Sequence, residues 1–204
     1  MDPHRAGHEA SYYPGETNVR LADVVIINKV DTAPAEAVAK VRETVKGLNP
    51  KARIVEAACP VKAADPGILK GRKVLAIDDG PTLTHGGMAV GAAVLAAWDA
   101  GARELVDPRP YAVGEIAEAL ARYPHVKRAL PALGYGDKEV RDLEATIARA
   151  AEGGVEAVAI GTPIDLARLI KIPIPSPRVS YTIALKDYTL DQLLGPMLAA
   201  AKER

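Results

Sequence analysis

Several features that define whole classes of proteins are scarce or missing in this sequence. Its 204 residues include one cysteine and no phenylalanine, and aromatic residues make up only 4%. A single cysteine, Cys59, excludes an internal disulfide framework and is typical of a reducing compartment. No apolar run reaches the roughly 20 residues that a membrane-spanning helix needs. We therefore expect a cytoplasmic protein with no membrane segment.

A net charge is also missing. The chain has 26 lysines and arginines and 26 aspartates and glutamates, which gives a formal net charge of zero. No overall field draws in nucleic acid or an anionic membrane, so we expect neither as a partner and look for local anion sites instead. The 16 prolines and the few aromatic residues suit a thermophilic source.

The strongest pattern is an apolar run followed at once by polar residues. Four β-branched residues, 24–27, precede Asn28-Lys29-Val30-Asp31, as in a buried parallel strand that delivers polar groups to its carboxyl end. The sequence N-K-x-D is the base-reading motif of P-loop GTPases. Asp31 could accept hydrogen bonds from guanine, the stem of Lys29 could cover the base, and Asn28 could tie the loop to its neighbours. The alternative is turn chemistry alone, because Asn and Asp also favour turns.

Weaker signals lie on both sides of this motif. Residues 52–56 predict the next strand, and Ala57-Ala58 stands where P-loop GTPases offer a backbone N–H to the guanine carbonyl. Residues 1–20 have no apolar period and predict a loop. A mobile terminus is the more common state for such a segment. Its candidate metal ligands are Asp2, His4, His8 and Glu9.

A second α/β unit begins with a predicted strand over residues 73–78. A turn rich in glycine and threonine follows, and then a predicted helix over residues 88–100. Glycines let the backbone approach a ligand, threonines donate hydroxyls, and the N-terminus of a helix attracts anions. The alternative is a tight glycine turn without a ligand. The candidate residues for binding a phosphorylated substrate are Asp79, Thr82, Thr84, His85, Gly86 and Gly87.

Three residues of this unit have more specific candidate roles. His85 is the best candidate for proton transfer. Arg109 lies between two prolines after a short predicted strand, and it could fork onto a phosphate or carboxylate or be an ordinary surface arginine. Thr162 follows a predicted strand over residues 155–160. It fits the N-cap of a helix that starts at Pro163, with a ligand role as the alternative.

Alternating strands and helices predict an α/β protein with three layers and mostly parallel sheets. We expect residues 1–70 to form the C-terminal part of a P-loop NTPase-like domain and residues 71–204 to form a Rossmann-like α/β domain. Residues 61–71 predict a linker, 123–136 a loop, and 179–185 a single edge strand with period-two alternation. A final helix begins at Leu190.

With these motifs in place, the chain resembles the cyclic 2,3-diphosphoglycerate synthetases and the P-loop GTPases grouped with them. The similarity extends over nearly the whole chain. The string D-G-P-T-L-T-H-G-G-M, residues 79–88, is far more specific than N-K-x-D. The other segments that carry the resemblance are residues 2–9, 13–16, 22–32 and 161–166.

The resemblance implies a ligase that uses ATP and Mg²⁺ to close 2,3-diphosphoglycerate into an intramolecular phosphoanhydride. It also implies that Asp2 lies on the metal side of the nucleotide. We take Asp2, His85 and Arg109 as the catalytic candidates. N-K-x-D instead predicts GTP, so the nucleotide stays open between ATP and GTP.

The phosphate-binding sequence G-x-x-x-x-G-K-[ST] is missing from these 204 residues. We therefore expect a C-terminal part or subunit that is inactive without a P-loop-containing N-terminal half or separate chain. One alternative is a GTPase- or metallochaperone-type relative, in which His4, His8 and Glu9 would hold a metal. Another is a non-enzymatic nucleotide-binding remnant. The sequence also leaves open whether the chain forms a homo-oligomer.

Overall fold

The computed structural model describes residues 1–202 and divides the chain into two compact units. Unit 1 contains Met1–Pro60 and the segment that begins at Thr182, whereas unit 2 contains Val61–Tyr181. Most strand pairings in the described residues are parallel, so the predicted α/β class with mostly parallel sheets is confirmed. No helix within residues 1–202 is long and apolar enough to cross a membrane.

Short strands alternate with helices along most of the chain. The helices are α1 (His8–Ser11), α2 (Gly15–Leu21), α3 (Ala35–Leu48), α4 (Gly80–Leu83), α5 (Ala92–Asp99), α6 (Gly114–Arg122), α7 (Asp137–Glu152) and α8 (Leu190–Lys202). The strands are β1 (Val24–Ile27), β2 (Arg53–Ala58), β3 (Val61–Ala63), β4 (Lys73–Asp79), β5 (Glu104–Leu105), β6 (Leu130–Ala132), β7 (Ala157–Ile160), β8 (Val179–Tyr181) and β9 (Ala184–Leu185). Short 3₁₀ helices cover Pro3–Arg5, Pro66–Ile68 and Leu166–Arg168.

The core of unit 1 lies between α3 and a small sheet. β1 runs parallel to β2, and β9 pairs with β2 in the antiparallel direction. Valines recur at three- and four-residue steps along α3, so one face of the helix is buried. Asn49 ends the helix, and its side-chain amide donates hydrogen bonds to the carbonyls of Val19 and Ala22. The buried apolar side chains are Val19, Val25, Ile27, Val38, Val41 and Val45.

β4 is the central strand of unit 2. Val74 pairs with both β5 and β7, and Ile77 pairs with both β6 and β7. β5 and β6 therefore share one side of β4, and β7 occupies the other. The carboxyl ends of β4, β6 and β7 meet at one edge of the sheet, where open α/β sheets bind ligands. α5 packs closely on this sheet because its buried face consists largely of alanine.

Two sequence-based predictions of local structure are wrong. Residues 1–20 are not a loop, because they contain α1, α2 and a 3₁₀ turn. α2 buries only Val19, so it shows no apolar period. No α-helix begins at Pro163. The Thr162 hydroxyl donates to the Ile164 carbonyl at 2.9 Å, and the next helical turn is the 3₁₀ segment Leu166–Arg168, which follows Asp165.

Two predicted loop segments contain strands. Residues 130–132 form β6, although Pro131 removes a backbone donor. β6 tolerates the proline because, within residues 1–202, β6 pairs with β4 alone, and edge positions leave one row of N–H groups unpaired. The predicted linker over 61–71 contains β3, which pairs with β8. Neither segment is rich in the alternating β-branched residues that identify strands.

The C-terminal part of the chain also differs from its predicted layout. The predicted strand over 179–185 is two strands: β8 pairs with β3 in unit 2, and β9 pairs with β2 in unit 1. The compact units change at Pro60 rather than at residue 70, and unit 1 includes the segment from Thr182. Unit 2 is therefore inserted in the sequence of unit 1.

Candidate functional sites

The first candidate site lies at the carboxyl ends of β1 and β2, within unit 1. The Oδ1 atom of Asp31 accepts a hydrogen bond from the Cys59 N–H at 3.1 Å. The Val30 N–H donates to the Ala57 carbonyl, also at 3.1 Å. Asp31 is exposed. The two segments that the sequence assigns to base binding, 28–31 and 57–58, are thus neighbours, and the exposed carboxylate can accept from the N–H groups of a purine.

Lys29 has an unusual backbone conformation in this loop. Its φ of 60° lies in the left-handed region that residues with side chains rarely adopt. The Lys29 Nζ donates to Asp2 Oδ2 at 2.9 Å, and Arg5 donates to the same oxygen at 3.1 Å. The sequence assigned Lys29 to the base and Asp2 to a metal. The structure joins the two side chains in one ion pair.

The electrostatics of this cluster favour an ionised Asp2. Burial acts to raise the pKa of Asp2, but the hydrogen bond and charge of Lys29, together with Arg5, outweigh burial and hold that pKa below its ordinary value. The Met1 carbonyl accepts a hydrogen bond from the Asn28 N–H at 2.9 Å. This bond fixes Asp2 beside the carboxyl end of β1.

The donor set around Asp2 fits only a particular kind of Mg²⁺ site. Within residues 1–202, no three His, Cys, Asp or Glu side chains gather as a metal site. Mg²⁺ is commonly held by one or two carboxylates and by substrate phosphates. A single carboxylate suits that pattern, but Asp2 already accepts hydrogen bonds from Lys29, Arg5 and the His4 N–H, so it would have to exchange these contacts for the metal. A metal site made of protein ligands alone does not fit. The other candidate ligands have separate neighbours: Thr32 for His4, Tyr12 for His8 and the Gly7 N–H for Glu9.

Two buried oxygens of unit 1 lack hydrogen-bond partners in the described structure. They are Asn28 Oδ1 and Glu9 Oε1. Leaving a buried polar group unpaired costs about 1–3 kcal/mol, so a bound group that reached either oxygen would recover part of that cost. Asn28 belongs to the predicted base-reading loop. The sequence predicts Glu9 only as a metal ligand, and the spacing around Glu9 does not indicate that it is buried.

The second candidate site lies at the carboxyl end of β4, within unit 2. Asp78 is almost fully buried, and its Oδ1 accepts from the Ala93 N–H in the first turn of α5 at 2.8 Å. Burial raises the pKa of Asp78 to about 6, although the N–H groups of α5 and of Gly91 act in the opposite direction. The Oδ2 atom has no partner in the described structure. Sequence reasoning missed Asp78 because it ends an apolar run and its partner lies 15 residues away.

Two glycines close around the Asp78 carboxylate. A Cβ at Gly91 would lie 2.4 Å from Asp78 Cγ, and a Cβ at Gly161 would lie 2.5 Å from Asp78 Oδ1. Gly161 would also clash with the Ala93 backbone nitrogen at 2.8 Å. These positions therefore need glycine for close packing. They hold Asp78, β7 and α5 together.

The predicted phosphate turn is partly helical. Asp79 caps α4, because its Oδ2 accepts from the Thr82 N–H and hydroxyl. The Thr84 hydroxyl is 2.8 Å from the Gly80 carbonyl and 3.0 Å from His85 Nδ1. The structure thus brings the predicted residues 79–87 together in one turn. Asp79 and Thr84 are already engaged within it, whereas His85 is exposed.

Thr162 and Tyr135 lie at the same edge of the sheet. Thr162 is buried and follows β7, and Tyr135 is partly exposed after β6. Burial raises the pKa of the Tyr135 phenol and the Asp79 carboxylate raises it further, whereas the Thr162 hydroxyl acts in the opposite direction. Tyr135 was missed because it lies in a segment predicted to be a loop.

Arg109 is held by its own surroundings. Its guanidinium Nη1 donates to both carboxylate oxygens of Asp107, at 3.1 and 3.0 Å. Its Nη2 donates to the carbonyls of Pro124 and Val126. The guanidinium that the sequence assigned to a substrate is thus already bound to protein groups. These contacts are sufficient to explain Arg109 by a structural role. A catalytic role for Arg109 stays a prediction.

A cleft of about 320 Å³ lies between α4 and α6 in unit 2. Its volume is at the lower end of the range for small-molecule sites. Its polar lining combines two carboxylates, a guanidinium, a histidine and a tyrosine. These side chains are Glu115, Glu118, Arg122, His85 and Tyr123.

Comparison with known proteins first indicates a class. Residues 4–56 match the family model described as CobW/HypB/UreG, nucleotide-binding domain. The matched residues contain the N-K-x-D loop and most of β2. This match and the α/β fold support a nucleotide-binding domain of the P-loop NTPase type in unit 1.

A longer similarity connects the chain with one particular protein. It is 52% identical over 182 residues to "Arginine synthetase ArcE" of Thermococcus kodakarensis. The alignment covers 89% of this chain and 40% of the relative, so the chain spans about two fifths of the length of that relative. These similarities support a relationship with P-loop NTPase-type proteins. They do not identify the chain as a cyclic 2,3-diphosphoglycerate synthetase.

Proposed function

We propose that this chain contributes the base-reading part of a nucleotide-dependent ligase. The observation that carries the proposal is the bond from the Cys59 N–H to Asp31, which holds an exposed carboxylate against the end of β2. The match to a nucleotide-binding domain and the synthetase name of the relative support it. A ligase of this kind couples cleavage of a nucleoside triphosphate to formation of a new bond.

The residues of unit 1 divide the work of nucleotide binding. Asp31 accepts hydrogen bonds from the N–H groups of the base, and the turn at Ala57-Ala58 lines the edge of the base. The stem of Lys29 covers the base while its ammonium stays near Asp2. Asp2 would hold Mg²⁺ if it exchanged its ion pairs with Lys29 and Arg5 for the metal, which would neutralise phosphate charge when bound. The activation barrier of phosphoryl transfer is lowered chiefly by positioning the reacting groups and by neutralising the charge of the phosphates.

The groups that bind the β- and γ-phosphates come, in this proposal, from polypeptide outside these 204 residues. The chain has no G-x-x-x-x-G-K-[ST] sequence, and the relative to which it is similar is more than twice as long. A P-loop supplied by a longer chain or by a partner chain would complete the nucleotide site.

Base recognition can be tested by calorimetry with GTP, ATP and xanthosine triphosphate in the presence of Mg²⁺. We expect GTP to bind more tightly than ATP. Asp31→Asn should move the preference from guanine to xanthine, because the amide presents a donor where the carboxylate presents an acceptor. Asp65→Asn is a matched control in unit 2. An unchanged preference in Asp31→Asn would remove Asp31 from base recognition.

The substrate of the proposed ligase has two candidates. The name of the relative points to arginine as a product, and the resemblance carried by residues 79–88 points to 2,3-diphosphoglycerate. We favour the arginine-forming reaction because the 52% identity extends over most of the chain. The chain should be mixed with the part of the relative that the alignment leaves uncovered. Triphosphate cleavage and the products should then be followed by mass spectrometry.

This complementation experiment separates the two reactions. Arginine formation that requires both polypeptides would support the proposal, whereas a cyclic phosphoanhydride would support the second candidate. Triphosphate hydrolysis with neither product would favour a GTPase-type relative. A stable stoichiometric complex without any turnover would count against the ligase.

A further inference from the structure

The hydrogen bonds of Thr84 determine which nitrogen of His85 carries the proton. The Thr84 hydroxyl lies 2.8 Å from the Gly80 carbonyl oxygen. A carbonyl cannot donate, so the single hydroxyl proton must lie between these two oxygens. The Thr84 oxygen is then left as an acceptor for its other neighbour, His85 Nδ1, at 3.0 Å. His85 must therefore donate through Nδ1.

This arrangement leaves the other nitrogen of His85 with a free lone pair. In a neutral imidazole only one nitrogen carries hydrogen, so Nε2 is an acceptor. The side chain is exposed and lines the cleft between α4 and α6. Thr84 is buried, positions the ring, and lines the cleft as an uncharged side chain. The result is an acceptor nitrogen at the rim of a small cavity.

The second histidine near this cleft has the opposite tautomer. His125 Nε2 lies 2.8 Å from the Leu83 carbonyl, which can only accept, so His125 carries its proton on Nε2. The ring of Tyr123 lies 6.2 Å from His85 and 6.1 Å from His125, measured between ring centroids. His125 thus provides an internal reference for the assignment of His85.

The charges of the cleft are almost balanced. Glu115 is paired with Lys138 at 2.6 Å. Glu118 and Arg122 are four residues apart on α6, so they lie on the same face of that helix. Both line the cleft. One carboxylate and one guanidinium suit a ligand that carries one positive and one negative group, whereas a polyanion would need more cations than the cleft offers.

We propose that this cleft binds a small zwitterionic molecule with an N–H cation directed to His85 Nε2 and Glu118 and a carboxylate directed to Arg122. An amino acid with a cationic side chain carries the carboxylate and two N–H cations, of which one would meet His85 Nε2 and Glu118 and the other would stay outside these contacts. The proposal rests on the proposed function only for the choice of L-arginine as the probe. It does not depend on nucleotide binding by unit 1, so the cleft proposal and the proposed nucleotide-binding function can each fail without the other.

The tautomer is tested first, by ¹⁵N NMR of the histidine-labelled full chain above the titration range of its imidazoles. His85 should show a protonated Nδ1 and an unprotonated Nε2, and His125 the reverse. His85→Gln and His125→Gln assign the signals. Thr84→Val, which removes the hydroxyl at similar volume, should change the His85 spectrum, whereas Thr84→Ser should preserve it. A protonated Nε2 on neutral His85, or no change in Thr84→Val, would overturn the assignment.

Binding is tested by calorimetry and by NMR titration with L-arginine and with 2,3-diphosphoglycerate. We expect L-arginine to shift the His85 signals in a saturable manner. His85→Gln, Glu118→Gln and Arg122→Gln should each weaken binding about tenfold or more, the effect of losing one hydrogen bond to a charged group. Lys127→Gln, outside the cleft lining, is the control and should bind normally.

The outcomes distinguish the ligand classes. Equal or stronger His85 shifts with 2,3-diphosphoglycerate would overturn the zwitterion assignment in favour of a polyanion site. The zwitterion assignment would also be overturned if L-arginine caused no change in the His85 signals at about 10 mM, a concentration well above ordinary KM values. If the three cleft variants bind L-arginine as tightly as the original protein does, the L-arginine site lies elsewhere.

Discussion

The ammonium of Lys29 and the carboxylate of Asp2 are 2.9 Å apart, and this ion pair joins the loop after β1 to the first residues of the chain. Both side chains are largely shielded from solvent, so the pair is screened less than an ordinary surface pair. Lys29 makes this contact from a left-handed backbone conformation. Strained residues of this kind are enriched at functional sites.

The first prediction concerns the titration of Asp2. Its folded pKa lies below the ordinary value, so its ionisation stabilises the fold at neutral pH, and that contribution is lost as pH falls through the folded pKa. Lys29→Met should raise the pKa of Asp2 and lower the free energy of unfolding at pH 7 by about 1 kcal/mol. Carboxyl ¹³C NMR and urea unfolding measure the two effects.

Lys40→Met is the matched control for this variant, because Lys40 is an exposed lysine on α3. It should leave the Asp2 titration unchanged. If Lys29→Met also leaves that titration unchanged, the ion pair is not formed in solution.

The second prediction is a pH dependence of stability caused by Asp78. Its folded pKa of about 6 lies above its ordinary value, so the folded state binds more protons between about pH 4 and pH 6. Stability should therefore fall as pH rises through this window, by up to about 3 kcal/mol for this group. Asp78→Asn cannot ionise and should lose this component. The difference between the two urea-unfolding profiles, measured from pH 4 to pH 8, isolates it. Parallel profiles would refute the assignment.

The third prediction concerns the close packing at Gly161. A methyl group there would meet both Asp78 Oδ1 and the Ala93 backbone nitrogen at less than 3 Å. Gly161→Ala should therefore destabilise the protein by about 1–3 kcal/mol, the usual cost of overpacking. Gly134→Ala is the control in the same unit, since its Cβ would make ordinary contacts of 3.4 Å with the flexible Glu139 side chain. Thermal unfolding of both variants gives the comparison, and equal losses would show that the contact at Gly161 relaxes easily.

The fourth prediction separates a structural role of Arg109 from a catalytic one. Its guanidinium binds Asp107 and two carbonyls, so Arg109→Gln should reduce stability by about 1–3 kcal/mol, as for lost hydrogen bonds to a charged group. We expect L-arginine and nucleotide affinities to stay within about twofold of the original, a change of well under 1 kcal/mol. Arg103→Gln, a surface arginine paired with Glu156, is the control for loss of charge. Intact stability combined with lost binding would restore the predicted substrate role.

The sequence predicted best where one element buries a repeated apolar pattern. α3 follows from valines at helical spacing, and β1 and β4 follow from their continuous apolar runs. The proximity of Asp31 to the end of β2 follows from the rule that parallel strands deliver their carboxyl ends to one edge. These inferences need only local pattern and the general rules of sheets.

Contacts between distant segments were not predictable in the same way. The cap that Asp78 provides to α5 depends on how the chain returns after a glycine-rich turn. β6 and Tyr135 lie in a segment whose prolines and glycines resemble those of a loop. The predicted helix after Thr162 is replaced by a 3₁₀ turn at Leu166–Arg168, and the proline-rich segment 173–177 that comes after it cannot continue a helix.

The return of the chain from unit 2 to unit 1 has a consequence for biosynthesis. β2 receives β9 as a neighbour only after more than 120 further residues have been made, because the partners of Ala57 and Ala58 are Leu185 and Ala184. Most of the inserted unit, Val61–Tyr181, therefore leaves the ribosome before this edge of β2 can pair. A ribosome that stalls near residue 180 would leave the edge open and ready to recruit a strand from another nascent chain.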